Sequence, residues 1–112
     1  MKKIYRLKSN LQYKQVYKKG KAISDDYFTL IYVKNSSAIA IAPKFGFNIS
    51  GKYGKAVKRN KLRRQLKSIC AEKALFVQSG TYVLRPRFYF QQAPEFCVLK
   101  KSVNDLIEKA QI

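Results

Sequence analysis

The residues best equipped for chemistry lie in the run Lys52-Tyr-Gly-Lys-Ala-Val-Lys-Arg-Asn-Lys-Leu-Arg-Arg-Gln-Leu-Lys67. From Lys55 onward, seven cations fall within thirteen residues: Lys55, Lys58, Arg59, Lys61, Arg63, Arg64 and Lys67. Arginine offers a planar fork that matches phosphate, and lysine a compact point charge. Projected at about 100° per residue, the run reads as a helix with Leu62, Leu66, Ile69 and Cys70 in one core-facing arc. Asn60, Arg63, Arg64 and Lys67 fall on the opposite side, flanked by Lys61. A solvated face normally mixes charge signs, yet no acid occurs between Asp26 and Glu72. Like charges four residues apart repel. Cations in the first half of a helix also face the positive end of its dipole. A bound row of phosphates relieves both penalties; the plain alternative is a solvated basic face. Lys52, Lys55, Lys58, Arg59, Asn60, Lys61, Arg63, Arg64 and Lys67 are therefore the candidate contacts to a polyanion. Asn60 is a poor helix former in their midst, and it either touches that partner or caps the helix.

The same inventory excludes much chemistry. The chain has no histidine, which removes every histidine-based scheme. The acids are Asp25, Asp26, Glu72, Glu95, Asp105 and Glu108. Only the first two are adjacent, and neighbours on a strand point to opposite faces. No catalytic residue is expected from such a set, and no metal site, since metal-assisted hydrolysis needs converging carboxylates. Cys70 and Cys97 lack zinc-site spacing and read as reduced thiols in a cytoplasmic protein.

At the level of the whole chain, 24 Lys plus Arg stand against 6 Asp plus Glu in 112 residues, a net charge of +18. So much charge on a small folded domain is self-repulsive. Nucleic acid is the best sink, because neutralising phosphates releases condensed counterions. An anionic membrane surface competes, but the apolar arc from Leu62 to Cys70 is needed for the core. No window approaches the roughly 18 apolar residues of a membrane span. The basic N-terminus is not followed by the apolar run of a signal peptide. A membrane partner is not expected.

The elements that must position these groups follow from periodicity and punctuation. Asn10 to Lys19 reads as a helix with Asn10 as N-cap and Gly20 as its stop. Lys21–Ser24 and Tyr27–Lys34 read as strands. Asn35-Ser36-Ser37 reads as a turn leading to a strand at Ala38–Ala42, in a hairpin with Tyr27–Lys34. Pro43 to Tyr53 reads as loop, with Gly46, Asn48, Ser50 and Gly51 as breakers. The basic helix is expected over Lys55–Val77, a strand over Thr81–Leu84, an irregular stretch over Arg87–Pro94, and a last helix over Glu95–Ala110. The order is α-β-β-β-α-β-α in one domain spanning residues 1–112. This is an α+β architecture with helices packed on a small mixed sheet.

A second cluster lies on the first helix. Tyr13 and Tyr17 are four residues apart and share a face, with Lys14 and Lys18 beside them. Aromatics at helical spacing usually belong to a core. Cations with aromatics are also how single-stranded nucleic acid is gripped. On the strand at Tyr27–Lys34, Phe28 and Leu30 alternate in phase as core, which leaves Thr29 and Ile31 for the other face.

Gly54-Lys-Ala-Val-Lys-Arg-Asn-Lys-Leu-Arg-Arg-Gln-Leu-Lys67 resembles the signature helix of the bacterial ribonuclease P protein subunit, with Gly54, Ala56, Val57, Arg59, Asn60 and Arg64 matching outright. Lys61, Arg63 and Lys67 keep the charge but exchange Arg and Lys, which is not neutral at bidentate contacts. Arg6-Leu7, the helix with Tyr13 and Tyr17, Arg85-Pro86 and Leu99-Lys-Lys-Ser-Val103 resemble the same family in order. The resemblance implies a fold like the ribosomal S5-type domain, with a left-handed βαβ crossover where general rules favour a right-handed one. It implies that the signature helix contacts a catalytic RNA, ribonuclease P RNA, with one protein per RNA. It also implies that the 5′ leader of precursor tRNA lies in a cleft between the first helix and the sheet. Tyr13, Lys14, Tyr17, Thr29 and Ile31 are the expected leader contacts. The chemistry, removal of the leader, is expected from the RNA with Mg²⁺, which no protein motif is expected to hold. A ribosomal or other structural RNA-binding protein is the competing reading; it shares the electrostatics and differs at the leader cleft. Two departures stand out. Phe45 to Gly51 reads as an insertion of about seven residues beside the RNA site. Ile31 stands where many members carry a cleft aromatic, and Tyr32 beside it points to the opposite face.

Overall fold

A computed structural model describes residues 5–7, 9–34 and 42–111. Helix α1 spans Asn10–Lys19. The Ser9 hydroxyl caps it by accepting from the Leu11 N–H at 3.2 Å. Asn10 is thus the first helical residue and not the cap: a serine one position earlier supplies the acceptor. Gly20 ends the helix as expected, its N–H donating to the Val16 carbonyl at 2.7 Å.

Strands β1 (Lys21–Ser24) and β2 (Phe28–Lys34) form an antiparallel pair. Strand β3 is Lys44–Phe47, helix α2 Ala56–Lys73, strand β4 Gly80–Pro86 and helix α3 Phe96–Ala110. Short 3-10 turns lie at Gly51–Tyr53, Ala74–Phe76 and Phe90–Gln92. The sheet order is β1-β2-β4-β3. β2 and β4 are antiparallel, with Leu30 opposite Leu84, while β3 and β4 run parallel, with Phe45 opposite Tyr82. The element order α-β-β-β-α-β-α and the mixed sheet are those the sequence indicated.

The third strand is elsewhere than expected. Residues 38–41 of the anticipated strand lie outside the described residues, and Ala42 is not in a strand. β2 has β1 on one edge and β4 on the other, so it does not form the expected hairpin with a third strand. β3 instead falls within the stretch read as a loop and as an insertion. Phe45 is buried and stacks on Tyr82 with centroids 5.6 Å apart, and Ile49 is buried in the same core. Gly46, read as a breaker, is a strand residue kept small by a neighbour described below. Arg6 and Leu7 extend the sheet beyond β3: Arg6 bridges Phe45 in parallel, and the Leu7 N–H donates to the Phe45 carbonyl at 2.9 Å. That segment covers part of an edge otherwise open to strand addition.

Strand alternation divides the packing into three layers. Phe28, Leu30 and Tyr32 of β2, with Tyr82 and Leu84 of β4, face Leu62, Leu66, Ile69 and Cys70 of α2 and Leu99, Val103, Leu106 and Ile107 of α3. On the other face, Ile31 and Val83 pack with Leu7 and with Val16 of α1. Ile31 therefore points to the expected side, but it is buried beneath α1 and does not line an open cleft.

Candidate nucleic-acid interface

Helix α2 contributes three flanks of different character. Its core arc buries Leu62, Leu66, Ile69 and Cys70. Burial raises the Cys70 thiol to about 12, so that thiol stays protonated and unreactive. Asn60 and Arg64 point outward and are exposed. Arg63 and Lys67 are half-buried on the flank toward α1, while Lys58, Lys61 and Gln65 lie on the flank away from it. Lys52 is exposed in the turn before the helix, and Lys55 is its exposed N-cap.

Several of these cations are held by neutral partners. The Arg59 guanidinium donates to the Gly54 carbonyl at 2.7 Å, tying the helix start to the preceding turn. Arg63 donates to the Asn60 side-chain oxygen at 3.1 Å. Asn60 thus lies inside the helix orienting an arginine, and the capping role does not hold. Lys58 sits over the Phe90 ring, 5.1 Å from its centroid. The ion pairs Lys73–Glu108 and Lys100–Glu72 use the far end of α2. The helix start carries no acid in its first turn and no side-chain cap, leaving N–H groups and positive dipole available to an anion.

The second part of the interface lies between α1 and β3. Tyr13 is half-buried, and its hydroxyl accepts from the Phe47 N–H at 3.2 Å. Burial raises its pKa, with the Phe47 amide and the nearby Arg63 charge pulling the other way. Tyr17 is 38% exposed; its hydroxyl accepts from the Asn48 side-chain amide, and the Arg85 guanidinium lies 5.9 Å from its ring centroid. Two hollows meet at Tyr13 and Phe47. One, of about 220 Å³, is lined by Arg6, Leu7, Tyr13, Phe45, Arg63 and Lys67 along with Phe47. The other, of about 270 Å³, adds Asn10, Tyr17 and Asn48. The tyrosines of α1 and two cations of α2, far apart in sequence, therefore border two adjoining hollows that share Tyr13 and Phe47.

Other expected contacts fall differently. Lys14 is exposed on α1 but lines neither hollow. Ile31 is buried and does not reach the cleft, while Thr29 is partly exposed on β2 opposite Arg85, outside the two hollows. The sheet lines the two hollows through β3, and α1 covers Ile31 of β2. Sequence reasoning missed Arg6, Phe47, Asn48 and Arg85. Arg6 brings a guanidinium whose Nε is buried and has no hydrogen-bond partner. A usable signal was Gly46 between two phenylalanines: a Cβ there would come within 2.5 Å of the Tyr13 hydroxyl. Among the described residues, no three His, Cys, Asp or Glu side chains gather to hold a metal ion.

A family model described as Ribonuclease P matches residues 1–111. The chain belongs to the ribonuclease P protein family. A ribonuclease P protein component from Carboxydothermus hydrogenoformans is 37% identical over 106 residues, covering 91% of this chain and 87% of that protein. One from Nitratiruptor is 36% identical over 95 residues, covering 85% of this chain and 77% of that protein. The fold matches the Staphylococcus aureus RNase P protein with a TM-score of 0.85 at 23% identity, covering 98% of each chain. It matches the RNase P protein from Thermotoga maritima with a TM-score of 0.80 at 24% identity, covering 93% of this chain and 96% of that one. In this chain the cations of α2 and the tyrosines of α1 occupy adjoining surfaces of that fold.

Proposed function

We propose that this chain is the protein subunit of a ribonuclease P holoenzyme, one copy per catalytic RNA. It binds that RNA through α2 and the 5′ leader of precursor tRNA through the cleft beside α1. The RNA, with Mg²⁺, performs the hydrolysis, and the work takes place in the cytoplasm. The observation that carries this reading is the shared border at Tyr13. There an aromatic cleft opens directly beside Arg63 and Lys67, at the edge of a helix face that carries no acid before Glu72 in its last turn. A cationic groove with ring faces suits a single strand, with each stacked base worth about 1–3 kcal/mol. The outward residues Asn60 and Arg64, with Lys55, Lys58 and Lys61, suit a folded RNA backbone.

The chain's own residues bind and position. Arg6, Arg63 and Lys67 supply donors for leader phosphates, and Tyr13 and Tyr17 supply ring surface. Each tyrosine is fixed at its hydroxyl by β3 or the residue after it, so the cleft is preorganised. The deciding experiment combines the protein with a bacterial ribonuclease P RNA and measures precursor cleavage at low Mg²⁺. Cleavage should rise sharply with protein present, and an unchanged rate rejects the proposal. Tyr13→Ala and Tyr17→Ala should weaken leader-bearing precursor and spare mature tRNA; equal losses on both would reject the cleft.

A further inference from the structure

The segment Arg87-Phe-Tyr-Phe-Gln-Gln-Ala-Pro94 belongs to neither surface described above. Of its three consecutive aromatics, Phe88 is core, edge-on to Phe28 at 5.5 Å and to Tyr53 at 5.8 Å. Phe90 turns back onto the start of α2. A Cβ on Gly54 would come within 2.8 Å of the Phe90 ring, so glycine is what lets the ring close on the backbone there. A hollow of about 180 Å³ results, on the flank of α2 away from α1. Lys58, Lys61 and Gln65 form one side of it, and Phe90 and Pro94 the other, above the buried Leu62.

The size and the groups restrict the occupant. Pockets for drug-sized ligands run to about 300–1,000 Å³, so this one has room for a single flat ring system. Its apolar walls are Tyr53, Pro94 and Phe90, with Lys58 over one side of the Phe90 ring. Gln65 carries a donor and an acceptor on one amide, the pattern that reads a base edge. Lys58 and Lys61 have donors only, and no acid lines the hollow. We propose that it takes one unstacked base of the bound RNA, with Gln65 on the base edge and Lys58 and Lys61 on the flanking phosphates. The inference rests on the RNA-binding reading above and adds a nucleotide-specific contact, distinct from the leader cleft. Specific recognition of RNA commonly depends on such splayed bases.

Two measurements decide it. The full chain, labelled with ¹⁵N, is titrated with adenosine, cytidine and uridine monophosphates, and separately with ribose 5-phosphate. At least one nucleotide should shift the Gln65 side-chain amide and the backbone amides of Phe90 and Ala93, whereas ribose 5-phosphate leaves Gln65 in place. Shifts confined to Tyr13 and Tyr17, or identical with the base-free sugar, overturn the proposal. Gln65→Ala, a change that favours the helix, should weaken binding of ribonuclease P RNA about fivefold with the salt slope unchanged. Wild-type affinity in that variant removes the base contact and leaves RNA binding standing. Absence of salt-sensitive RNA binding by the unsubstituted chain removes the underlying reading instead.

Discussion

At the scale of single residues, the leader cleft depends on a contact that sequence spacing hides. Gly46 has no side chain because Tyr13 occupies the space: an added Cβ would meet the Tyr13 hydroxyl at 2.5 Å and the ring at 2.7 Å. Gly46→Ala must displace the ring and break the Tyr13–Phe47 hydrogen bond. It should destabilise the protein by about 1–2 kcal/mol, as overpacking does, and should weaken leader binding as well. In a Tyr13→Ala background the same substitution should be nearly neutral. A double-mutant cycle by denaturant unfolding would therefore give a coupling of about 1 kcal/mol or more. Additive effects would mean that the ring does not rest on Gly46. The two cysteines give a simpler test. Cys70 is fully buried with its thiol raised to about 12, whereas Cys97 is exposed. A maleimide should label one thiol per folded chain, at Cys97, and two in denaturant. Rapid labelling of both in the folded protein would mean that the core opens around α2.

At the scale of elements, the β1–β2 turn is fastened to α3 through Asp25. Its carboxylate accepts from the N–H groups of Tyr27 and Phe28, both at 2.8 Å, and from the Ser102 hydroxyl on α3. Burial pushes Asp25 up, but those hydrogen bonds and the charge of Lys109 together outweigh it, so its pKa is lowered. The folded value lies below the unfolded one of about 3.9. The stabilisation is therefore complete above that value and is lost as pH falls through the folded pKa. Asp25→Ala should cost about 1–2 kcal/mol near pH 7, kept modest because the carboxyl is only partly shielded from water. The gap from the parent should narrow below pH 4, as followed by urea unfolding at several pH values; a gap constant with pH would show that the charge is not involved. The elements differ in how far the sequence foretold them. α1, β1 and α3 were legible from local signals such as the Gly20 stop and the apolar spacing of α3, although the cap of α1 is Ser9 and not Asn10. β3 was not, since Gly46 and Asn48 look like turn residues until Tyr13 and Tyr17 are seen to require them. The sheet order β1-β2-β4-β3 was also hidden, because β4 joins β2 across a long chain separation. Alternation put Ile31 on the correct face, but only the packing of Val16 and Leu7 shows that it is covered. The cations of α2 could be read individually, whereas their division between an inner flank at Arg63 and Lys67 and an opposite flank at Lys58 and Lys61 needed the neighbours of the helix.

At the scale of the molecule, a net charge of +18 sits on a body with a radius of gyration of 13.3 Å. At 0.1 M salt the screening length is about 10 Å, so many of these charges still repel one another. Simple salt should therefore stabilise the fold by screening. If the charge were spread evenly, ionic strength alone would set that effect. Arg6, Arg63 and Lys67 instead border one cleft, and Arg64 projects beside it, so a multivalent phosphate should bind as a ligand. A ligand that prefers the folded state adds about 2.7 kcal/mol at a hundredfold excess over its dissociation constant. In a domain of this size that corresponds to a rise in Tm on the order of 10 °C. Tripolyphosphate should thus raise Tm well beyond sodium chloride at matched ionic strength. Arg63→Gln together with Arg64→Gln should abolish most of the difference, while Lys101→Gln, at an exposed position on α3, should retain it. Equal rises with the two salts would mean that the charge acts as a diffuse field, and that a phosphate backbone would find no preferred seat along α2.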